Sequence, residues 1–246
     1  MGQTSIVAIT LFIFSALGWY SYCDYQSIKN VEQARDALAK GYPRVSNELT
    51  KGLRTKVKYS SDECDLLLAI DGRLKDSKSL FLTAEKCLFG GGIENPNPYL
   101  AISLAFEIED DMESARRVLV NTFEKVKYHE SFFYRLANMS MSDGKKDEAK
   151  KLIVNLINRN AKNEQIILRS IQFFTKKNEW ITAYSLITNL ENLKNLSFES
   201  VITIYGVSKK NNDDKRSKKY IESINKVLNT LPQEKANIIL TQLRKL

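Results

Sequence analysis

Side chains that commonly carry catalysis are few in this chain of 246 residues. His129 is the only histidine, and no histidine and cysteine stand at a spacing typical of zinc ligands. The acidic residues from Glu107 to Glu113 lack the glycine and the regularly spaced oxygen ligands of a calcium-binding loop. No base stands out beside a serine that could act as a nucleophile. The sequence therefore predicts a protein that is not an enzyme and that uses no metal ion or cofactor.

Electrostatic binding is the chemistry that the sequence does favour. The formal net charge is +8, and residues 143–246 hold 20 Lys or Arg against 11 Asp or Glu, whereas residues 1–142 hold 17 against 18. A basic edge is predicted at Lys145, Lys146, Lys177, Lys210, Lys215 and Arg216. Such an edge attracts an anionic polysaccharide, lipid head groups or an acidic protein segment. Nucleic acid is not expected, because no recognised nucleic-acid-binding module is present. The alternative is that these lysine-rich turns are simply solvated.

Two of the three cysteines fall on successive predicted helices. Cys64 lies in a predicted helix over 61–74, and Cys87 lies in the next one, over 78–89. A disulfide between them would staple this helical hairpin in an oxidising compartment outside the cytosol. Two free buried thiols are the alternative.

The N-terminal segment carries no charged side chain over residues 1–23. Its apolar run would be about 28 Å long as a helix, close to the thickness of a hydrocarbon core. We predict an uncleaved transmembrane anchor rather than a cleaved signal peptide, because no basic residue precedes the run. Lys29, Arg35 and Lys40 after the span favour a cytoplasmic flank, whereas the predicted disulfide favours the other side. We expect a single-pass membrane protein whose bulk is extracytoplasmic (periplasmic).

A period of 34 residues runs through the second half of the chain. It relates the small residues Ala115, Ala149, Ala183 and Ser217. Four residues after each of these comes an apolar side chain, at Leu119, Ile153, Ile187 and Ile221. Five residues before each comes Asp110, Gly144, Asn178 or Asn212, residue types that tolerate left-handed backbone and end helices. This spacing predicts two amphipathic helices per period, with a short side chain where neighbouring helices approach closely.

The pattern resembles the tetratricopeptide repeat family, in which a large residue opens the first helix of each hairpin and a small residue lies in the middle of the second. The large residues here are Tyr99, Phe133, Ile167 and Val201. The resemblance covers residues 96–229 and weakens in the last two repeats, where Ile171 and Tyr205 replace a usual small residue. It implies an all-α fold, a right-handed α-solenoid of helical hairpins, preceded here by the predicted transmembrane helix.

The expected organisation has five parts. They are the anchor over 1–23, N-terminal helices with a degenerate hairpin over 24–89, a loop over 90–98, four repeats over 99–229, and a capping helix over 233–246. The first helices are predicted at 28–39 and 45–53. Glycines 90–92 lack the lysine of a phosphate-binding loop, so we interpret 90–98 as a connection. The capping helix would cover the last hairpin with Ala236, Ile239, Leu240 and Leu243.

Partners in this family usually lie along the concave wall formed by the first helices of the hairpins. Carried over by repeat position, that wall comprises Leu100, Leu104, Tyr134, Asn138, Leu168, Gln172, Lys176, Ile202 and Lys209. Apolar anchors, amides and lysines together suit an extended peptide, although some of the apolar members belong equally well to a core.

Two hypotheses about function follow. The first is a non-enzymatic, membrane-anchored scaffold or adaptor that binds protein partners and assists assembly of an envelope or secretion-type complex. The second is a module that binds anionic polysaccharide or lipid through the basic edge.

Overall fold

The computed structural model describes residues 28–91 and 94–243, and every regular element in these ranges is a helix. The helices are α1 (28–39), α2 (Pro43–Leu49), α3 (Lys51–Arg54), α4 (Ser61–Leu74), α5 (Ser77–Gly91), α6 (Pro96–Ile108), α7 (Met112–Thr122), α8 (Glu130–Ser142), α9 (Lys146–Arg159), α10 (Glu164–Lys176), α11 (Trp180–Glu191), α12 (Phe198–Lys210), α13 (Asp214–Leu228) and α14 (Gln233–Leu243). They form two compact units, one ending at Phe132 and one spanning Phe133–Leu246.

In each repeat the chain reverses direction at the residue that lies five positions before the small residue of the 34-residue period. Asp110, Gly144, Asn178 and Asn212 have φ of 61°, 74°, 60° and 56°, and each follows the first helix of a hairpin. The next amide donates back into that helix, as from Asp111 N to Phe106 O at 2.9 Å and from Glu179 N to Phe174 O at 2.9 Å. This is the Schellman geometry, which satisfies the last carbonyls of the helix and reverses the chain. The predicted tetratricopeptide-like hairpins are therefore confirmed.

The first unit contains the hairpins α4–α5 and α6–α7. The α4–α5 turn uses the same device, with Lys75 at φ 55° and a bond from Asp76 N to Asp71 O at 3.1 Å. Helix α5 packs on α6, and α2 packs on α4. Cys64 and Cys87 form a disulfide that joins α4 to α5 across a Cα–Cα distance of 5.7 Å.

A buried ion pair adds a second link in the first unit. The guanidinium of Arg54 donates to both carboxylate oxygens of Asp71, at 2.6 and 3.2 Å, and the hydroxyl of Thr83 donates to the same carboxylate at 2.8 Å. Asp71 is only 1% exposed. The pair holds the α3 segment against α4 and α5, so one buried carboxylate connects three helices.

The second unit contains α8–α9, α10–α11 and α12–α13. Ala149 and Ala183 lie at corresponding positions of α9 and α11, and both are fully buried in one apolar cluster. Phe174 and Ile187 belong to the same cluster. The second helix of each hairpin packs on the first helix of the next, as α9 does on α10 and α11 on α12. The short alanine side chain permits this close approach.

Helix α14 covers the last hairpin. Its Leu243 is buried with Ile224 and Leu228 of α13, and Ala236 and Ile239 pack against the same cluster. Leu240, predicted to share this face, is instead 37% exposed. Residues 236, 239 and 243 form one stripe of the helix, and residue 240 lies at the margin of that stripe, next to solvent.

The structure overturns four expectations. No helix within residues 28–91 and 94–243 is both long enough and apolar enough to cross a membrane. On this finding the fold with an N-terminal transmembrane helix and the single-pass membrane localisation are wrong; the predicted span itself, 1–23, lies outside the described residues. The connection predicted over 90–98 is also shorter, because α5 continues to Gly91 and α6 begins at Pro96. The single helix predicted over 45–53 is two, α2 and α3, which meet at Thr50.

Candidate partner-binding surfaces

The first helices of the second unit are joined to one another by side-chain hydrogen bonds. Tyr134 on α8 donates from its hydroxyl to the carbonyl of Ile166 on α10, at 3.1 Å, and the same hydroxyl lies 3.1 Å from Ser170 Oγ. The Tyr134 ring also lies 6.1 Å from that of Phe173. Tyr134 therefore fixes α8 against α10.

A second set of bonds joins α10 to α12. The Oε1 atom of Glu164 accepts from the amide of Ser197 at 2.7 Å and from Ser200 Oγ at 2.5 Å. The Ser200 hydroxyl, and then Ser197, hold the pKa of the Glu164 carboxyl below its ordinary value. Further along α10, eight residues after Glu164, Gln172 Nε2 donates to Glu199 Oε1 at 2.9 Å. The three first helices of this unit thus form a connected face.

These contacts change the interpretation of the predicted concave wall. Leu168 is 1% exposed and lies in the core, and Ile202 packs against the cluster that α14 covers, so neither presents a free side chain. Tyr134 and Gln172 are occupied in the bonds between repeats. In the first unit Leu104 packs on an apolar cluster, and Leu100 is half-buried. The assignment of Leu168 and Ile202 to a partner-binding wall is corrected: the phase of α10 and α12 turns that column inward.

The remaining members of the wall stay accessible in the second unit. Asn138 on α8 is half-buried, whereas Gln172, the equivalent residue one repeat later, is held by Glu199. Lys176 and Lys209 are exposed near the ends of α10 and α12. We call Asn138, Lys176 and Lys209 the first-helix face. Its amide and ammonium groups can pair with the backbone and the carboxylates of an extended peptide.

The basic edge is partly neutralised by the protein's own carboxylates. Lys146 Nζ lies 2.5 Å from Glu179, and Lys145 lies 4.0 Å from Asp143. Arg216 pairs with Glu191 and Asp213, each at 3.3 Å, and its guanidinium lies 5.1 Å from the centroid of the Tyr184 ring.

Other members of the basic edge are free to bind an anion. Lys177 and Lys215 are exposed and form no ion pair or hydrogen bond with any residue that the structure describes. Lys210 stands over the Trp180 ring at 5.7 Å and has no carboxylate partner within the described ranges.

A polar belt joins the second helices α11 and α13 behind that edge. Tyr184 donates to Asp213 Oδ2 at 2.7 Å, and Tyr220 donates to Glu191 Oε1 at 3.0 Å. Burial, followed by the Glu191 carboxylate, raises the pKa of Tyr220 to about 12. The amide of Arg216 and then the Tyr184 hydroxyl lower the pKa of Asp213. Both tyrosines remain protonated at neutral pH, so the belt acts as a structural link.

His129 has a structural role in this protein. It is exposed, and its Nδ1 atom accepts a hydrogen bond from the amide of Ser131 at 3.3 Å, at the start of α8. Such a contact caps a helix by satisfying one of its first amides. Among the described residues no group of three His, Cys, Asp or Glu side chains is placed to hold a metal ion.

Tyr134 and Gln172 were predicted as partner-binding residues, whereas the other residues that link the repeats, Ser170, Glu164 and Ser200, were not identified from the sequence. Ser170 had a signal, because it is the one polar residue in a column otherwise filled by Ile102, Leu136 and Ile204. It is fully buried, and its hydroxyl faces Tyr134 of the preceding repeat. Glu164 and Ser200 gave no sequence signal of a link between repeats, since a carboxylate at the start of a helix and a serine in the first turn are ordinary capping residues.

Comparisons with known proteins give a limited likeness. No protein-family model matches the sequence, and no curated protein matches it significantly. A solved structure described as the functional characterisation of Pseudomonas aeruginosa pilF is similar, with a TM-score of 0.44 and 14% identity. The likeness covers 85% of this chain and 94% of that chain. The helical-repeat architecture therefore rests on this protein's own helices, turns and packing.

Proposed function

We propose that this protein is a non-enzymatic adaptor that binds a protein partner through the first-helix face of its second unit. The observation that carries the proposal is that α8, α10 and α12 are joined by direct hydrogen bonds while Asn138, Lys176 and Lys209 remain accessible beside them. A binding face that is already rigid loses little conformational entropy on association. Its chemistry suits an extended segment that carries carboxylates.

An assembly partner in an envelope or secretion-type complex is not part of this proposal. That expectation depended on a membrane helix, and no helix in the described part of the chain can cross a membrane. The proposal concerns only the partner's chemistry: a peptide backbone for the amides and acidic side chains for the lysines.

The test is capture of the native partner by crosslinking, followed by mutation of the face. Asn138→Glu, Lys176→Glu and Lys209→Glu each place a negative charge where acidic side chains are expected to bind. Capture should fall about tenfold in the triple variant, which corresponds to roughly 1.4 kcal/mol of binding free energy. Lys218→Glu/Asn225→Glu/Lys226→Glu is the matched control, because it changes the charge equally at three exposed positions of the second helix α13. Undiminished capture by the triple variant, or equal loss in the control, rejects the proposal.

The second candidate function is binding of an anionic polysaccharide or lipid through the basic edge. Lys177, Lys210 and Lys215 support it, because all three are exposed and form no direct ion pair or hydrogen bond with a carboxylate among the described residues. Retention on a heparin column should be salt-sensitive and should fall when these three lysines are changed to glutamine. Arg216 is a poor target, since it is held by Glu191 and Asp213. Retention that Lys226→Gln reduces as strongly would indicate general charge attraction only.

A further inference from the structure

A cavity of about 380 Å³ lies in the first unit, between the α1–α2 turn and the end of α4. Tyr42, Arg44 and Val45 line it from one side, and Arg73 and Leu74 line it from the other. Its volume lies within the range of sites that hold a small ligand or a few side chains. Neither the first-helix face nor the basic edge includes any of these residues.

The walls of the cavity are held firmly. Gly41 adopts φ of 84°, and the amide of Tyr42 donates to Ala37 O at 2.8 Å, so α1 ends in a Schellman turn that aims the chain into α2. Buried Ser46 then donates from its hydroxyl to Ala34 O at 2.8 Å and fixes α2 against α1. The site is therefore present before any ligand arrives.

The positive charge of the cavity has no acidic partner among the described residues. Arg44 and Arg73 are exposed and form no ion pair or hydrogen bond with any residue that the structure describes, and none of the described residues that line the cavity is acidic. The acidic residues nearest in sequence already have partners. Asp71, two residues before Arg73, is bound by Arg54. Asp36 pairs with Lys40 at 2.6 Å, Glu48 pairs with Lys51 at 2.5 Å, and Asp76 accepts from Ser79 at 3.0 and 2.8 Å.

Apolar side chains line the cavity together with the two arginines. Tyr42 is 60% exposed and Val45 is 53% exposed, whereas Leu74 is half-buried. Large apolar side chains left this open, at a concave site that Arg44 and Arg73 also line, provide both a hydrophobic anchor point and a charge to orient a ligand.

We propose that this cavity binds a protein segment in which a bulky apolar side chain lies next to one or more carboxylates. The apolar side chain packs against Tyr42, Val45 and Leu74. The carboxylates pair with Arg44 and Arg73, whose planar guanidinium groups bind a carboxylate with two parallel hydrogen bonds. An acidic, apolar peptide matches both the charge and the surface, whereas a purely apolar segment leaves the arginines unpaired.

Selection of phage-displayed random peptides on the intact protein tests this site. The Arg44→Gln/Arg73→Gln variant serves as the counter-selection. Enriched peptides should combine Asp or Glu with a neighbouring aromatic or aliphatic residue. A synthetic copy of the most enriched peptide should bind the arginine variant about tenfold more weakly than the unmodified protein, and the affinity for the latter should fall with added salt. Tyr42→Ala/Val45→Ser should weaken the same peptide with less change in its salt dependence.

The controls distinguish binding in the cavity from general charge attraction and from unfolding. Lys29→Gln/Lys51→Gln removes the same amount of charge from the first unit outside the cavity and should leave peptide binding unchanged. Circular dichroism and a melting curve check that each variant is folded. Enrichment of peptides without carboxylates, or equal loss in the lysine control, overturns the proposal. So do arginine-dependent binding to phosphatidylglycerol vesicles without any peptide enrichment, and arginine-dependent self-association of the protein.

Discussion

The two units of this protein contain the same kind of helical hairpin but stabilise it by different interactions. In the second unit, successive hairpins repeat at 34 residues and share a cluster in which Ala149 and Ala183 are fully buried. In the first unit, the small residue Ala84 of α5 is also fully buried, yet it stands only 31 residues before Ala115. There the α4–α5 hairpin carries a disulfide, and the buried Arg54–Asp71 pair joins it to α3.

The difference teaches how a degenerate repeat keeps its shape. When consecutive hairpins match in length, apolar side chains interlock in the same way at every interface, and stability accumulates repeat by repeat. A hairpin that is out of phase loses part of that packing. A covalent bond and a fully hydrogen-bonded carboxylate supply specific links instead, and each of them depends on one residue or one pair. We therefore expect the stability of the first unit to depend on the disulfide and on the buried ion pair. The stability of the second unit should depend on the volumes of its buried side chains.

Loss of the disulfide should have the largest effect on this comparison. Cys64→Ala/Cys87→Ala removes a cross-link between residues separated by 23 positions, which should lower the free energy of unfolding by about 3.4 kcal/mol in the chain-entropy description. Hydrogen exchange should show the lost protection in residues 28–132. Cys23→Ala, the remaining cysteine, is the control. Equal loss of protection in residues 133–243 would mean that the two units do not differ in how they are fastened.

Removal of the buried Asp71 carboxylate should lower the free energy of unfolding slightly less than loss of the disulfide does. Asp71→Ala removes the carboxylate that accepts from Arg54 and Thr83, and Arg54 then keeps Asn47 Oδ1 as its side-chain acceptor. Asp71 is 1% exposed in the native protein. Because Arg54 remains 25% exposed to water, we expect a loss of about 3 kcal/mol, at the low end for a broken buried pair.

The control for that change is an exposed ion pair of the same unit. Arg35 and Asp62 lie 3.3 Å apart and are 50% and 80% exposed, so Asp62→Ala should cost about 0.5 kcal/mol. Urea denaturation of both variants measures the difference. Similar losses in the two variants would contradict the importance assigned to the buried carboxylate.

The sequence predicted the backbone of the hairpins better than their surfaces. Left-handed backbone favours Gly, Asn and Asp, so Asp110, Gly144, Asn178 and Asn212 could be recognised from their residue types and their spacing, whereas Lys75 adopts the same conformation without that signal. Deeply buried alanines were likewise visible, because a small side chain recurring at a fixed interval indicates a repeated close approach of helices. Both signals are local in origin.

The faces of the helices were harder to predict, since they depend on neighbours far away in sequence. Leu168 and Lys176 were assigned to the same wall, but Leu168 is buried and Lys176 is exposed. A small rotation of α10 about its axis decides which column of side chains faces inward, and the sequence does not fix that rotation. The Tyr134–Ser170 bond spans 36 residues and requires one rotamer from each partner. No periodicity indicates it.

A larger side chain at a buried alanine tests how strongly the stability of the second unit depends on close packing. Ala183→Leu inserts a larger side chain at a position that is fully buried among Ile187, Phe174 and their neighbours. We expect a loss of about 2 kcal/mol, because a close-packed interface between hairpins cannot relax without moving a helix. Ser185→Leu, at an exposed position of the same helix, is the control and should change the stability by less than about 0.5 kcal/mol.

The effect of Ala183→Leu shows whether apolar packing or polar links between repeats stabilise the second unit. Loss of hydrogen-exchange protection should be confined to residues 133–243 if packing between repeats dominates there. A variant as stable as the parent would mean that the α9–α11 region is loosely packed and that the polar links carry the second unit instead.

The smallest expected effect concerns the Glu164 link and depends on pH. Hydrogen bonds from Ser200 and Ser197 lower the pKa of Glu164 in the folded protein, so the ionised form is favoured by folding. Its contribution is fully present above the unfolded value of about 4.5 and is lost as the pH falls through the lower folded pKa. Glu164→Gln should therefore be less stable than the parent at pH 7, and the difference should shrink as the solution is acidified below about pH 4.5.

The matched control for this link is Glu222→Gln. Glu222 is exposed on α13 and forms no hydrogen bond or ion pair with any described residue. Urea denaturation at a series of pH values should show a pH-dependent difference for Glu164→Gln and none for Glu222→Gln. A difference that stays constant with pH would assign the role of Glu164 to packing rather than to its charge. The comparison would then sharpen, because packing rather than the Glu164 charge would hold α10 against α12 at this point of the second unit.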